Sequence, residues 1–173
     1  MLFKPIGFNK FLNTLKFLTK FEEVKELEAP TVHAKYYGKA LVVEDNIINQ
    51  KLIVNILKGF GLTIDVANNG LEAVEKRKSV QDYDLIFMDI QMPIMDGIEA
   101  TKIIKKYEDE NGLTTIPTIA LTANALKGDR ERLLKEGLDE YISKPIEMAE
   151  LLYILHKFIG HKSSIGIKKA LKT

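Results

Sequence analysis

The sequence has no cysteine and no apolar run long enough to cross a membrane. Without cysteine, the chain can form neither a disulfide framework nor a thiolate metal site, which fits a reducing compartment. A membrane-spanning helix needs about 18 or more consecutive apolar residues, and the start of the chain also lacks the apolar stretch of a secretory signal. We therefore expect a cytoplasmic protein.

The chain also has almost no net charge. Its 25 Lys and Arg side chains nearly balance 24 Asp and Glu side chains, which leaves +1 at neutral pH. This balance gives no bulk attraction to nucleic acid or to an anionic membrane, so we expect neither partner. Apolar residues make up 46% and charged residues 28% of the 173 residues, as in a soluble globular domain with appendages.

Short apolar runs alternate with segments of helical spacing through most of the chain. Continuous apolar runs of about four to eight residues are typical of strands buried on both faces of a parallel sheet. Five strands are predicted, at residues 40–43, 63–67, 85–88, 116–121 and 141–142. The second differs from the others because its apolar and polar residues alternate. Five helices are predicted at residues 48–57, 71–78, 98–107, 129–136 and 148–159. Strict alternation favours a doubly wound, flavodoxin-like α/β fold with strand order 2-1-3-4-5 and helices on both faces.

Polar side chains follow the predicted strands at their carboxyl ends, where open α/β sheets bind ligands. Glu44 and Asp45 follow the first strand, Asp89 the third, Thr122 the fourth and Lys144 the fifth. Carboxylates this close repel one another by about 4 kcal/mol per pair at 4 Å and an effective dielectric near 20, so a cation is needed among them. Oxygen ligands without His or Cys favour Mg²⁺. The set predicts phosphoryl transfer to the central carboxylate, Asp89.

Four motifs occur in order at these positions. They read VVEDN at residues 42–46, MDIQMPIMDG at 88–97, ALTA at 120–123 and YISKP at 141–145. Each is modest alone, but together they resemble the receiver domain of two-component response regulators, of the type found in hybrid sensor histidine kinases. The resemblance covers residues 38–159 and shows no departure at the active positions.

The resemblance implies a chemical role for each matched residue. Asp89 would be the phosphoacceptor, and Lys144 would contact the phosphoryl oxygens. Mg²⁺ would be held by Asp45, Asp89 and the backbone carbonyl of Gln91, with Glu44 acting through water. The phosphodonor would be a sensor histidine kinase or a histidine phosphotransfer domain. The domain would catalyse only its own phosphorylation and dephosphorylation, so it is not expected to be an enzyme for external substrates.

The resemblance also implies a switch. Thr122 would contact the phosphoryl oxygens, and Tyr141 would turn inward as Thr122 moves, which changes the surface of the fourth strand, fourth helix and fifth strand. The Lys144–Pro145 peptide bond is expected to be cis, a state that X-Pro bonds reach at a cost of about 0.5 to 1 kcal/mol. A phosphorylation-dependent dimer is left open.

Two other functional classes are alternatives to the receiver. A haloacid-dehalogenase-like phosphatase also uses an aspartyl phosphate and Mg²⁺, but it needs a second Asp two residues after the nucleophile, where this chain has Gln91. A DNA-binding response regulator needs a further domain, and residues 160–173 form only a short basic tail. Neither class is expected.

The remaining segments lie before the receiver. Residues 21–37 are predicted to be a polar linker, and residues 1–20 a basic amphipathic helix, one use of which is attachment to a membrane surface. A second interpretation is favoured, because residues 2–18 repeat the strand, Lys-Pro and helix pattern of residues 142–158. We expect residues 1–20 to be the remnant of a preceding receiver in a hybrid kinase, without membrane contact, although a free regulator remains the alternative.

Overall fold

The computed structural model describes residues 34–124, 126, 128–160 and 163–165. Its elements in chain order are β1 (Ala34–Tyr36), β2 (Lys39–Val43), α1 (Ile47–Gly59), β3 (Thr63–Ala67), α2 (Gly70–Ser79), β4 (Leu85–Asp89), α3 (Gly97–Glu110), β5 (Thr118–Thr122), α4 (Asp129–Lys135), β6 (Glu140–Ser143), α5 (Met148–Ile159) and β7 (Ser163–Ile165). None of the described helices combines the length and hydropathy required of a membrane span. The predicted helix at residues 1–20 lies outside the described residues.

Five parallel strands form the main sheet, in the order β3-β2-β4-β5-β6. Counted along this sheet alone, that order is 2-1-3-4-5, so the predicted flavodoxin-like topology is confirmed. Strand β4 lies at the centre, between β2 and β5. Its last residue, Asp89, therefore ends in the middle of the sheet's carboxyl edge.

Helices cover both faces of the sheet, and the strand side chains alternate between them. Val42 and Phe87 belong to the apolar cluster that contains residues of α1 and α5, whereas Leu41 and Ile86 belong to the cluster that contains residues of α2 and α3. All four side chains are fully buried. Because each buried side chain of this size contributes about 1.5 to 3 kcal/mol, the two layers fix the sheet and its polar edge.

Strand β5 begins later than predicted. The apolar run suggested a start at Ile116, but the first strand residue is Thr118. Pro117 has no N–H with which to pair in a ladder, although its carbonyl accepts the N–H of Ile86. The strand ends at Thr122, one residue after the predicted end, so Thr122 lies at the carboxyl edge of the sheet.

A second, two-stranded sheet was not predicted from the sequence. Strands β1 and β7 pair antiparallel, with Ala34 opposite Ile165 and Tyr36 opposite Ser163. Tyr36 is buried, its N–H donates to the Phe60 carbonyl at 2.8 Å, and its ring meets the Phe60 ring edge-on at 6.2 Å. This contact attaches the two-stranded sheet to the end of α1.

A buried ion pair between α2 and α3 was also not predicted. Arg77 Nε lies 2.8 Å from Glu108 Oε1, and both side chains are at most 1% exposed. The Ile116 N–H also donates to Glu108 at 3.3 Å. Breaking such a pair by removing one partner costs about 3 to 5 kcal/mol, because the other charge stays buried. The pair therefore fixes the relative position of the two helices on this face.

Candidate functional site

The carboxyl ends of β2, β4, β5 and β6 surround an open cleft of about 240 Å³. Ligands bind at this edge in open α/β sheets, since the loops that leave the strands diverge there. Most of the lining side chains are polar or charged, and the set is Glu44, Asp45, Asn46, Asn49, Asp89, Ile90, Gln91, Leu121, Ala123 and Lys144.

Three carboxylates meet in this cleft. Glu44, Asp45 and Asp89 each offer one oxygen, and these oxygens lie within 4.8 Å of one another. Glu44 and Asp89 are buried, whereas Asp45 is exposed. The structure thus brings together the three acidic residues that the sequence predicted to converge.

The loop between β2 and α1 holds the acidic pair. Asn46 caps α1 by accepting the N–H groups of Ile48 and Asn49 at 3.0 and 3.1 Å, as a short polar side chain does at a helix start. Glu44 Oε1 accepts the Asn46 N–H at 3.1 Å, and the Glu44 N–H donates to the Ala67 carbonyl at 3.1 Å. These bonds hold Glu44 between the strand end and the helix start.

Lys144 bridges two of the carboxylates from the opposite wall. Its Nζ lies 2.7 Å from Glu44 Oε2 and 3.2 Å from Asp89 Oδ2, and the Lys144–Pro145 peptide bond is cis. Burial lowers the pKa of Lys144, but the hydrogen bond to Glu44 and the charge of Asp89 outweigh it, so the pKa lies above its usual value. Lys144 is therefore a permanent positive charge, held more closely by Glu44 than by Asp89.

Asp89 has an unusual electrostatic environment. Burial, followed by the charge of Glu44, raises its pKa from 3.8 to about 6, against the opposing effects of Lys144 and of the Gln91 N–H. That N–H donates to Asp89 Oδ1 at 3.2 Å. A carboxyl group with a raised pKa in a cleft is a candidate for chemistry rather than a simple surface charge.

The donor set fits a divalent cation. Three carboxylates and one ammonium group leave a net charge of −2 in the cleft when all four are ionised. Hard oxygen donors with partly solvated access suit Mg²⁺, which keeps several waters and takes one or two carboxylates. Gln91 lines the same cleft. The residues present therefore suit the ion that the sequence predicted.

Thr122 and Tyr141, the two predicted switch residues, are not among the residues that line the cleft. The Thr122 hydroxyl accepts the Asn124 N–H at 3.1 Å and donates to the Asn124 carbonyl at 3.2 Å. Tyr141 is half-buried and packs against a small cluster that includes Leu133 of α4. The hydroxyl is thus bound to the loop that leads to α4.

Sequence reasoning missed two residues that shape the site. Gly97 lies so close to Asp89 that an added Cβ would be 2.1 Å from the Asp89 carbonyl oxygen, so a side chain cannot be placed there. Gln50 is buried in α1 and donates to the Glu44 carbonyl at 3.0 Å. Gly97 is the last residue of the motif at residues 88–97, which could have pointed to it, whereas Gln50 lies outside all four motifs.

Two curated relatives match most of this chain. The chain is 41% identical over 123 residues to hybrid signal transduction histidine kinase M and 48% identical over 120 residues to hybrid signal transduction histidine kinase I, both of Dictyostelium discoideum. The matches cover 70% and 66% of this chain. The chain spans only 5% and 7% of those relatives.

Two solved structures are also similar to this chain. One is a co-crystal structure of the Saccharomyces cerevisiae histidine phosphotransfer protein Ypd1 with the receiver domain of Ssk1. The matching chain is 31% identical with a TM-score of 0.69, and the match covers 77% of this chain and 96% of that one. The receiver domain of sensor histidine kinase PA1611 from Pseudomonas aeruginosa PAO1, solved with magnesium in its active site cleft, is 41% identical, with TM-score 0.63, covering 71% of this chain and 98% of that one.

The sequence model of the response regulator receiver domain family matches residues 40–156. The matched range contains the whole five-stranded sheet from its second residue onward, together with every residue of the acidic cluster. Family, topology and cleft agree with the resemblance seen in the sequence. The chain therefore belongs to the response regulator receiver domain family of two-component phosphorelays.

Proposed function

We propose that Asp89 accepts one phosphoryl group from a phosphohistidine donor in a Mg²⁺-dependent reaction. The observation that carries the proposal is the setting of the Asp89 carboxylate. It is buried at the end of the central strand, 3.2 Å from the Lys144 ammonium group and within 4.8 Å of carboxylate oxygens of Glu44 and Asp45. This arrangement supplies the positioning and charge neutralisation on which phosphoryl transfer depends.

The transfer exchanges one bond for another. An Asp89 oxygen bonds to phosphorus while the P–N bond to the donor imidazole breaks, and the electron pair of that bond stays on the imidazole nitrogen. The products are an acyl phosphate on Asp89 and a neutral histidine once that nitrogen has taken a proton from solvent. Lys144 would neutralise negative charge on the phosphoryl oxygens, since its Nζ lies 3.2 Å from Asp89 Oδ2.

Mg²⁺, when bound, supplies positive charge to the incoming phosphoryl oxygens. Asp45, Asp89 and the Gln91 carbonyl would hold it. Glu44 would act indirectly, because its two carboxylate oxygens already accept hydrogen bonds from the Asn46 N–H and from Lys144. Asp45 is the exposed member of the cluster and offers the most accessible oxygen.

The phosphoryl group would act as a switch through Thr122. Attraction of its hydroxyl to the phosphoryl oxygens would break both bonds to Asn124, the loop residue before α4. Helix α4 has seven residues and buries only Leu133, so little apolar contact holds it in place. Tyr141 packs in the cluster that contains Leu133 and would move with it. The altered surface is that of β5, α4 and β6.

The donor would approach over α1. This helix begins at the cleft, where Asn46 and Asn49 line the wall, and it exposes three large apolar side chains. Ile47 is 55% exposed, Ile48 74% and Leu52 56%. A donor protein that brings its phosphohistidine to Asp89 can cover this apolar face with one of its own. We propose a hybrid kinase or a phosphotransfer protein as this donor. The receiver domain of Ssk1 has been co-crystallised with the histidine phosphotransfer protein Ypd1, which supports a partner of this class.

Intact-mass measurement tests the proposed phosphorylation. Acetyl phosphate with Mg²⁺ should add one phosphoryl group to the wild type and none to Asp89→Asn. Asp109→Asn is the matched control, because it makes the same chemical change at an exposed position of α3 and should be labelled normally. Full labelling of Asp89→Asn, or full labelling of the wild type in excess chelator, would overturn the proposal.

A further inference from the structure

We propose that Gln50 is a positioning residue for the metal ligands. It would hold the peptide group between Glu44 and Asp45 and thereby set the affinity of the acidic cluster for a divalent cation. This inference rests on the proposed function, because it assigns a role in the same site. Gln50 does not line the cleft, so it would act through the backbone of its neighbours.

Gln50 stands where an apolar residue would be expected. Helix α1 buries three side chains, Gln50, Ile53 and Leu57, at the spacing of one helix face. Gln50 is only 5% exposed. A buried amide without partners costs about 1 to 3 kcal/mol, so an amide at this position is useful only through the hydrogen bonds it makes.

Both hydrogens of the Gln50 amide have acceptors. Nε2 donates to the Glu44 carbonyl at 3.0 Å and to Asn68 Oδ1 at 3.1 Å. The Glu44 carbonyl and the Asp45 N–H belong to one planar peptide group. A hydrogen bond to the Glu44 oxygen therefore restricts the orientation of the whole peptide group that precedes the Asp45 Cα. Asp45 is exposed, so burial in the core does not hold its side chain in place. The bond from Gln50 therefore limits where its carboxylate can lie.

The second bond extends this support to the next loop. Asn68 follows β3, and its N–H and Nδ2 donate to Glu72 Oε2 at 2.8 and 3.0 Å. These two bonds leave Asn68 Oδ1 directed to Gln50, which in turn orients Nε2 toward Glu44. A chain of hydrogen bonds thus runs from the first turn of α2 to the peptide group before Asp45.

Loss of the Gln50 amide should weaken Mg²⁺ binding without removing a ligand. Groups that orient metal ligands typically change metal affinity by about 10- to 100-fold, so we expect the Kd of Gln50→Met to rise about tenfold in calorimetric titration. The Mg²⁺ concentration for half-maximal phosphorylation by acetyl phosphate should rise by a similar factor. The rate at saturating Mg²⁺ should stay within about twofold of wild type, because the ligands and Lys144 are unchanged.

Two further variants complete the test. Gln50→Ala leaves space for water on the Glu44 carbonyl and keeps a good helix former, so it should fold readily and weaken binding in the same direction. Ile53→Val shortens a buried neighbour on the same helix and costs about 0.5 to 1.5 kcal/mol of stability, yet it should bind Mg²⁺ like the wild type.

The outcomes separate the two levels of inference. If the wild type binds Mg²⁺ and both Gln50 variants bind it equally well, the role of Gln50 is wrong while the proposed function stands. If Ile53→Val weakens binding as much as Gln50→Met, the effect reflects fold stability, and the role of Gln50 is again wrong. If the wild type binds no Mg²⁺, the proposed function fails and this inference fails with it.

Discussion

Replacing Asp89 by Asn should stabilise the metal-free protein near neutral pH. Burial and the charge of Glu44 raise the pKa of Asp89 from 3.8 to about 6, so the folded protein resists its ionisation. Each pKa unit corresponds to about 1.4 kcal/mol, so ionised Asp89 costs the folded state about 3 kcal/mol. Asn cannot ionise and avoids this cost, which is already net of the attraction between Asp89 and Lys144. We expect a gain of about 3 kcal/mol at pH 7.

The sign of the pH dependence follows from the direction of the shift. A group whose pKa is higher in the folded state binds protons more tightly there, so the wild type loses stability as pH rises from about 4 through about 6. Well below pH 3.8 the carboxyl group is neutral in both states and resembles the amide. The stability difference between Asp89→Asn and wild type should therefore be small at acid pH, grow through pH 6 and then level off.

Urea unfolding in chelator at several pH values between about 4 and 8 measures this difference, provided that both proteins unfold in two states with equal slopes. Asp109→Asn, on the exposed part of α3, should differ from wild type by less than about 0.5 kcal/mol throughout. Added Mg²⁺ should stabilise the wild type more than Asp89→Asn, because binding to the folded state alone raises its stability. A difference that does not vary with pH, or an Asn variant less stable than wild type at pH 7, would refute the reasoning.

Four further outcomes are expected. Asp45→Asn should weaken Mg²⁺ binding at least about tenfold in calorimetry while the thermal midpoint without metal stays equal or rises, and an unchanged titration would contradict this. Leu52→Glu should slow phosphoryl transfer from a phosphohistidine protein about tenfold and leave labelling by acetyl phosphate unchanged, since only the protein donor needs the α1 face. Thr122→Val should abolish the amide shifts that beryllofluoride induces in α4 and β6, whereas equal shifts in both proteins would exclude this switch. Gly97→Ala should cost more than about 2 kcal/mol in urea unfolding, because its Cβ would meet the Asp89 carbonyl.

The sheet and its polar edge could be predicted because their signals are local. The apolar run at Leu85–Met88 marks a strand buried on both faces wherever it occurs, and Asp89 follows it directly. Once the strand order is known, parallel strands bring their carboxyl ends to one edge, so Glu44, Asp45 and Asp89 must approach one another. No side-chain packing was needed to reach this result.

Features that depend on distant pairs could not be predicted. Arg77 and Glu108 lie 31 residues apart on two helices, and each resembles an ordinary surface charge until the helices pack. Strands β1 and β7 have three residues each, and each partner lies far along the chain from the other. Sequence patterns also could not tell that Lys144 would lie closer to Glu44 than to Asp89, because that depends on rotamers in the finished cleft.

The two-stranded sheet has a mechanical consequence. Because Ala34 pairs with Ile165 and Tyr36 with Ser163, the chain enters and leaves this sheet at the same end. Tension applied to the chain before β1 and after β7 would unzip the two strands. The force would act on one residue pair at a time, whereas shearing would load all three pairs together. The short sheet would open before force reached the five-stranded sheet, so the acidic cleft would stay intact under tension that separates β1 from β7.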